Sequence, residues 1–128
     1  MIAIALSTAG FGLAHLLNPN ATWIGIASLT LSSLIIVGGF LLTRRVWFCV
    51  GLHWAWNLLQ ALYSVSVSGM GTKGLLDGHV TGPAWLTGGS FGVEASLPTL
   101  LLSLIAASYL LRRAHQKGHF TPPYWRSR

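Results

Sequence analysis

The sequence predicts an all-α membrane protein with about four transmembrane or re-entrant helices. Of its 128 residues 52% are hydrophobic and only 8% are charged, whereas about a quarter of the residues in a soluble domain are charged. The apolar residues fall into four long runs. The basic residues cluster at the ends of these runs, which is typical of membrane topology.

The four apolar segments comprise residues 1–17, 22–43, 46–68 and 96–111. At a rise of 1.5 Å per residue, the second and third would extend about 33 Å, enough for a hydrocarbon core of ~30 Å. The first and fourth, at about 25 Å, are marginal. Pro19 cannot continue a helix and therefore ends the first segment. The Gly-rich stretch 69–95 is predicted to be an irregular loop that lies partly over the bundle.

The basic residues predict an orientation in the membrane. Arg44 and Arg45 separate two apolar segments, and Arg112, Arg113 and Lys117 follow the last one. Counting positive charges places both groups in the cytoplasm and the 69–95 loop outside. We therefore divide the chain into a membrane domain, residues 1–111, and a basic cytoplasmic tail, residues 112–128. The expected partner of the tail is the lipid bilayer rather than nucleic acid.

The third apolar segment carries a polar stripe. His53, Asn57 and Gln60 follow one another at helical spacing and therefore share one face of a helix. Unpartnered polar groups are costly in lipid, so this face must lie against the protein interior or a wet cavity. Trp54 and Trp56 are expected to point elsewhere, towards lipid or neighbouring helices.

The first segment carries a second histidine with the same kind of spacing. Phe11 and His15 are four residues apart, and a neutral imidazole offers one hydrogen-bond donor and one acceptor. In an upright first helix, His15 would lie far from His53. A site that includes both requires a short or re-entrant helix, with Asn18-Pro19-Asn20 turning inside the protein. The two histidines would then have to lie within about 12 Å of each other.

Other polar residues suggest no metal or redox site. Cys49 is the single cysteine, so neither an internal disulfide nor a cysteine-based metal site is expected. Two histidines without a nearby carboxylate would make a poor Zn²⁺ site. His79 and Glu94, both in the 69–95 loop, are predicted to be solvated or to cap a helix rather than to catalyse a reaction.

The two spaced pairs resemble motifs of a known family. Phe11-x3-His15 and His53-x3-Asn57 resemble, in type, order and separation, the second and third motifs of the CAAX-protease and bacteriocin-processing (CPBP) family. This family of intramembrane peptidases includes CAAX endopeptidases and lysostaphin-resistance-like (abortive-infection) proteins. The later run TGGSFGVEASL is similar to the region that leads into the last helix of some bacterial members.

The resemblance implies a membrane endopeptidase, of which this chain is the C-terminal part of a larger helical bundle. His15 would position or deprotonate the attacking water, and His53 and Asn57 would hydrogen-bond the tetrahedral oxyanion. Phe11 would be a packing and positioning residue, whereas Gln60 has no motif assignment and is kept as a supporting residue. The first motif of the family, Glu-Glu-x3-Arg, is absent from this sequence.

The same resemblance implies a substrate and a location. The substrate would be a peptide or protein segment near the membrane, and the membrane would be a bacterial plasma membrane. The residues present require no cofactor, and a divalent metal in the complete protein stays open. Because the glutamate of the first motif pairs with the second-motif histidine in the family, this chain alone is expected to be incomplete or inactive.

Two further functions compete with the peptidase. An inactive membrane scaffold would use the polar stripe only for helix–helix contacts, as the missing glutamate pair suggests. A small transporter or channel subunit would use the stripe to line a path through the membrane. The transporter hypothesis predicts further polar residues along the second and fourth segments.

Overall fold

Four long helices and one short helix contain most of residues 2–120, the part of the chain that the computed structural model describes. The helices are α1 (Ile2–Ala14), α2 (Trp23–Thr43), α3 (Val46–Leu62), α4 (Ala84–Thr87) and α5 (Leu97–Gln116), with two 3₁₀ turns at Gly89–Phe91 and Val93–Ala95. Residues 2–120 contain no strand beyond an isolated bridge between Val67 and Met70. The predicted all-α fold is therefore confirmed.

Of the two segments that the sequence favoured as membrane spans, the structure supports the second segment as α2, whereas the other long apolar helix is α5. Within residues 2–120, α2 and α5, with 21 and 20 residues, are long and apolar enough to cross a bilayer. The prediction that the third apolar segment spans the membrane as a helix to residue 68 is wrong, because α3 ends at Leu62 after 17 residues. The residues that follow α3 form a turn around Ser64 (φ 55°), after which the apolar Val67 is buried.

The last helix is longer than its apolar segment. α5 continues five residues beyond position 111 and ends in a turn that contains Arg113 and His115. Basic side chains stabilise a helix C-terminus because they face the negative end of the helix dipole. The boundary between membrane domain and basic tail stays a prediction, and residues 121–128 of that tail lie outside the described residues.

α2 and α5 pack side by side and run in the same direction. The hydroxyls of Ser32 and Ser103 share a hydrogen bond of 2.8 Å, and farther along both helices Arg44 donates to the His119 carbonyl at 3.1 Å. The Nδ1–H of His119 also donates a hydrogen bond to the Leu41 carbonyl at 2.7 Å. The two basic groups of the sequence therefore meet at one end of the bundle, as a shared side of the membrane requires.

Small residues allow the helices to approach closely. A Cβ added to Gly12 of α1 would lie 1.9 Å from Thr30 Oγ1 of α2, and one added to Gly39 of α2 would lie 2.6 Å from the Phe48 ring of α3. Close approach of this kind is typical of helix packing in lipid. These contacts give the small residues at the α1–α2 and α2–α3 contacts a packing role.

The loop after α3 returns to cover the C-terminal end of that helix. The backbone amides of Leu76 and Gly78 donate to the carbonyls of Leu62 and Tyr63 at 2.9 and 3.0 Å. These bonds satisfy acceptors that have no partner inside the helix. Farther along, Phe91 is only 1% exposed and forms the core beneath the loop. The loop thus lies over one end of the bundle, as predicted.

The packing of α1 on α2 gives a test of the fold. We expect Gly12→Ala to lower the free energy of unfolding by about 1–3 kcal/mol, because the new methyl group overlaps Thr30. Gly10→Ala, on the same helix, is the matched control, since its Cβ meets no atom within 4 Å. Thermal unfolding of both variants in the same detergent measures the difference. Equal midpoints for the two would contradict the α1–α2 packing.

Candidate functional site

The polar stripe of α3 faces inward. His53, Asn57 and Gln60 are the residues of the 51–60 stretch that are not exposed, and Gln60 is the most buried of them. The helix is therefore oriented as the spacing predicts, with its polar groups towards the protein.

Two residues of the polar stripe share one cavity with Phe11, the aromatic residue of the Phe11-x3-His15 motif. Phe11, His53 and Asn57 line a space of about 140 Å³ whose other walls come from α2, α5 and the loop between α3 and α5. Its walls are mostly apolar. Six further residues with a hydroxyl or carboxyl group line the cavity: Ser32, Ser33, Ser68, Glu94, Thr99 and Ser103.

His53 and Asn57 carry donors that are available to a ligand. Among the side-chain hydrogen bonds formed within residues 2–120, none involves either of these two groups, although both line the cavity. A second, more open groove of about 440 Å³ shares Phe11, Ile36, His53 and Asn57 and extends to Trp54. The imidazole and the amide are thus reachable both from the cavity and from the outer side of α3.

His15 lies close to this site but outside the cavity lining. The Phe11 ring contacts both imidazoles, with centroids 4.8 Å from His15 and 5.5 Å from His53, so the two histidine rings are at most about 10 Å apart. His15 Nδ1 lies 2.7 Å from the Phe11 carbonyl and donates to it, because a carbonyl can only accept. In a neutral ring this leaves Nε2 as the acceptor.

A short first helix brings the two histidines together. α1 has only 13 residues, and the turn that follows it docks onto the loop between α3 and α4. Asn18 donates to the Ser68 carbonyl and Asn20 to the Gly69 carbonyl, both at 2.9 Å. The Asn-Pro-Asn turn is thus anchored on the protein, which is the arrangement that a shared site requires.

Glu94 occupies the interior of the protein, and the prediction that it is solvated or caps a helix is wrong. It is 4% exposed. Its Oε2 accepts from the backbone N–H and the hydroxyl of Ser68 at 2.5 and 2.8 Å, and its Oε1 accepts from Trp56 Nε1 at 2.8 Å. The companion prediction holds for His79, which is exposed and pairs with the exposed Asp77 at 3.5 Å.

Trp56 and Gln60 belong to the same network. The prediction that Trp56 points away from the polar face is wrong for its indole nitrogen, which donates inward to Glu94. With its amide oriented to satisfy both groups, Gln60 accepts from Trp56 Nε1 at 2.8 Å and donates to the Ser66 carbonyl at 3.1 Å. This contact gives Gln60 a structural role, although it lies outside the cavity lining.

The donor set around the cavity does not suit a metal ion. Within residues 2–120 there is no group of three His, Cys, Asp or Glu side chains that could hold one. The single carboxyl of the cavity has both oxygens bonded to protein donors. Zinc sites use three or four closely placed nitrogen, sulfur or oxygen ligands, so we derive no catalytic step through a metal.

A comparison with protein families agrees with the two motifs. Residues 1–59 match the family model described as type II CAAX prenyl endopeptidase Rce1-like. Searches of curated proteins and of solved structures returned no significant match. The family match and the two long apolar helices together indicate an integral membrane protein. The matched segment is a little under half of the chain and contains Phe11, His15, His53 and Asn57, so in this part the chain is similar to the CAAX endopeptidases of the CPBP family.

Proposed function

We propose that this chain forms the oxyanion-binding part of an intramembrane endopeptidase. One observation carries the proposal: on the wall of one largely apolar cavity, His53 and Asn57 place side chains that have no hydrogen-bond partner among residues 2–120. Donors fixed in a low-dielectric site stabilise negative charge far better than donors in water do. The family match supports this use of the cavity over a purely structural one.

The proposed reaction is hydrolysis of a peptide bond by water. The water oxygen attacks the carbonyl carbon, and the carbonyl oxygen becomes an anion that accepts hydrogen bonds from the His53 imidazole and the Asn57 amide. Collapse of this intermediate breaks the C–N bond, and the proton from water leaves with the amine. Donors of this kind commonly contribute 10²–10³, in order of magnitude, to the rate.

His15 is the proposed water-positioning group. Its bond to the Phe11 carbonyl fixes the ring and, in the neutral form, leaves Nε2 free to accept a proton from water. Glu94 is not proposed as its carboxylate partner, because Trp56 and Ser68 already engage both of its oxygens.

The proposed substrate is a peptide segment at the membrane. The open groove beside α3 ends at Trp54, which is 64% exposed, and gives a segment in the bilayer lateral access to His53 and Asn57. We propose a bacterial plasma membrane as the location, with the basic end of the bundle in the cytoplasm, because Arg44 and the last turn of α5 share that end.

The two competing functions predict different uses of the polar groups. A transporter needs polar residues that line a continuous path, but Ser32 and Ser103 bond to each other across the α2–α5 contact. Ser33 bonds to the Thr30 carbonyl of its own helix. Because these hydroxyls are already bonded to protein groups, the pairings favour a local cavity over a continuous polar path. An inactive scaffold has the same geometry as the peptidase and is distinguished from it by activity alone.

The first functional prediction concerns the oxyanion donors. In proteoliposomes of the full-length protein, a quenched fluorogenic peptide joined to a lipid anchor reports cleavage, and a farnesylated CAAX peptide serves as a second probe. We expect His53→Ala and Asn57→Ala each to lower kcat by about 10²–10³ while protein levels stay near normal. Leu59→Ala, at an exposed position of the same helix, should cleave like the wild type.

Unchanged cleavage in either the His53 or the Asn57 variant would contradict the oxyanion assignment. Absence of cleavage of both probes by the wild-type protein would favour the scaffold.

The second functional prediction concerns water activation. We expect His15→Ala to lower kcat by about 10²–10⁴, the usual contribution of a positioned acid–base group, with little change in KM. Leu13→Ala is the control on the same segment, since Leu13 is 57% exposed. The same fluorogenic peptide measures both variants. If His15→Ala cleaved the peptide as fast as Leu13→Ala, His15 would have no part in the reaction.

A further inference from the structure

We infer that Glu94 is a positioning residue that holds the two histidine-bearing segments in register around the cavity. The inference rests on the proposed function, because it assigns Glu94 a role towards the groups of that site. It starts from a carboxyl that is 4% exposed and has both oxygens bonded to donors from other parts of the chain. Those bonds lead to α3 in one direction and to α1 in the other.

The first direction passes through Trp56. This residue lies between His53 and Asn57 on α3, within one helical turn of both. Its single Nε1–H donates to Glu94 Oε1 and is shared with the side-chain oxygen of Gln60, each 2.8 Å from the nitrogen. A fixed indole sets the rotation of α3 about its axis, and this rotation decides whether the imidazole and the amide face the cavity.

The second direction passes through Ser68. Its backbone is in the left-handed conformation, with φ 48°, which is unfavourable for a residue with a side chain. Both its N–H and its hydroxyl donate to Glu94 Oε2. The Ser68 carbonyl then accepts from Asn18, whose own N–H bonds to the His15 carbonyl at 3.1 Å. Three hydrogen-bonded steps therefore join Glu94 to the end of α1 that carries His15.

The backbone around Glu94 is held in place as well. Ser28 of α2 donates to the Glu94 carbonyl at 2.5 Å, which ties the 3₁₀ turn to the central helix. Gly92, with φ 105°, lets the chain approach Ser66 so closely that a Cβ would lie 2.3 Å from the Ser66 carbonyl oxygen. The carboxyl is thus held at a point where α2, α3 and the loop meet.

The chemistry of the network requires a carboxylate rather than an amide. Both oxygens of Glu94 accept from N–H or O–H groups. A glutamine would present an NH₂ group to one of these donors, so one bond would be lost and two donors would face each other. Glu94→Gln therefore perturbs the network with little change in volume.

The test compares Glu94→Gln with Asp77→Asn, which changes the other carboxyl of the chain at an exposed position. In the full-length protein with the lipid-anchored fluorogenic peptide, we expect Glu94→Gln to lower kcat by about 10–100-fold with KM nearly unchanged. Asp77→Asn should keep the wild-type kcat. A role in overall stability alone would reduce the amount of folded protein without lowering kcat per folded molecule.

A spectroscopic measurement tests the contact without relying on cleavage. In protein labelled with ¹⁵N-tryptophan, the Trp56 indole N–H resonance, assigned with Trp56→Phe, should move upfield in Glu94→Gln and stay in place in Asp77→Asn. An N–H bonded to a carboxylate is more deshielded than one bonded to a neutral amide. An identical chemical shift of the Trp56 indole N–H in Glu94→Gln and in the wild type would overturn the inference, whether or not the protein cleaves the probe.

A second substitution keeps the test usable if Glu94→Gln folds poorly. Trp56→Phe removes one donor and leaves the carboxyl bonded to Ser68. We expect it to lower kcat as well, and we expect the double variant Glu94→Gln/Trp56→Phe to be no less active than Glu94→Gln alone, because the two changes break one contact. If the factors by which the two single substitutions lower kcat multiply in the double variant, positioning through Trp56 is contradicted. Full activity of Glu94→Gln alongside an inactive His53→Ala would overturn this inference and leave the proposed function intact.

Discussion

The arrangement of the residues around the cavity depends on the hydrogen bonds of one buried carboxyl, that of Glu94. A carboxylate removed from water is costly unless hydrogen bonds compensate for the lost solvation. Here Trp56 and Ser68 supply three such bonds, from a helix and from a loop. Because each donor must stay within bonding distance, burial of this one carboxyl constrains the rotation of α3 and the path of the loop after it.

The central helix, α2, contacts each of the other three long helices. α2 contacts α1 through Gly12 and Thr30, α3 through Gly39 and Phe48, and α5 through the Ser32–Ser103 hydrogen bond. Small residues bring the backbones close, so polar side chains with short reach can bond across the helix contacts. The cavity remains where these helices do not fill the space next to His53 and Asn57.

Helix periodicity and the two motifs were sufficient to predict the fold class and the inward-facing stripe. His53, Asn57 and Gln60 needed only the 3.6-residue repeat, and the short first helix followed from the need to place His15 near His53. The end of α3 could not be predicted from hydropathy, because Val65 and Val67 are apolar whether they continue a helix or fill a turn. Glu94 was missed because its partners, Trp56 and Ser68, are 38 and 26 residues away in the chain. Its apolar neighbours in the run SFGVEAS were the available signal that it differs from Asp77.

The central claim is that His53 and Asn57 form one oxyanion-binding wall held in place by Glu94. An experimental structure of the full-length protein in lipid, bound to a peptide phosphonate that mimics the tetrahedral intermediate, tests it most directly. We expect a phosphonate oxygen about 2.7–3.1 Å from both the His53 imidazole and the Asn57 amide nitrogen, with the Trp56–Glu94 bond intact. A phosphonate bound elsewhere, or His53 and Asn57 turned towards lipid, would contradict it.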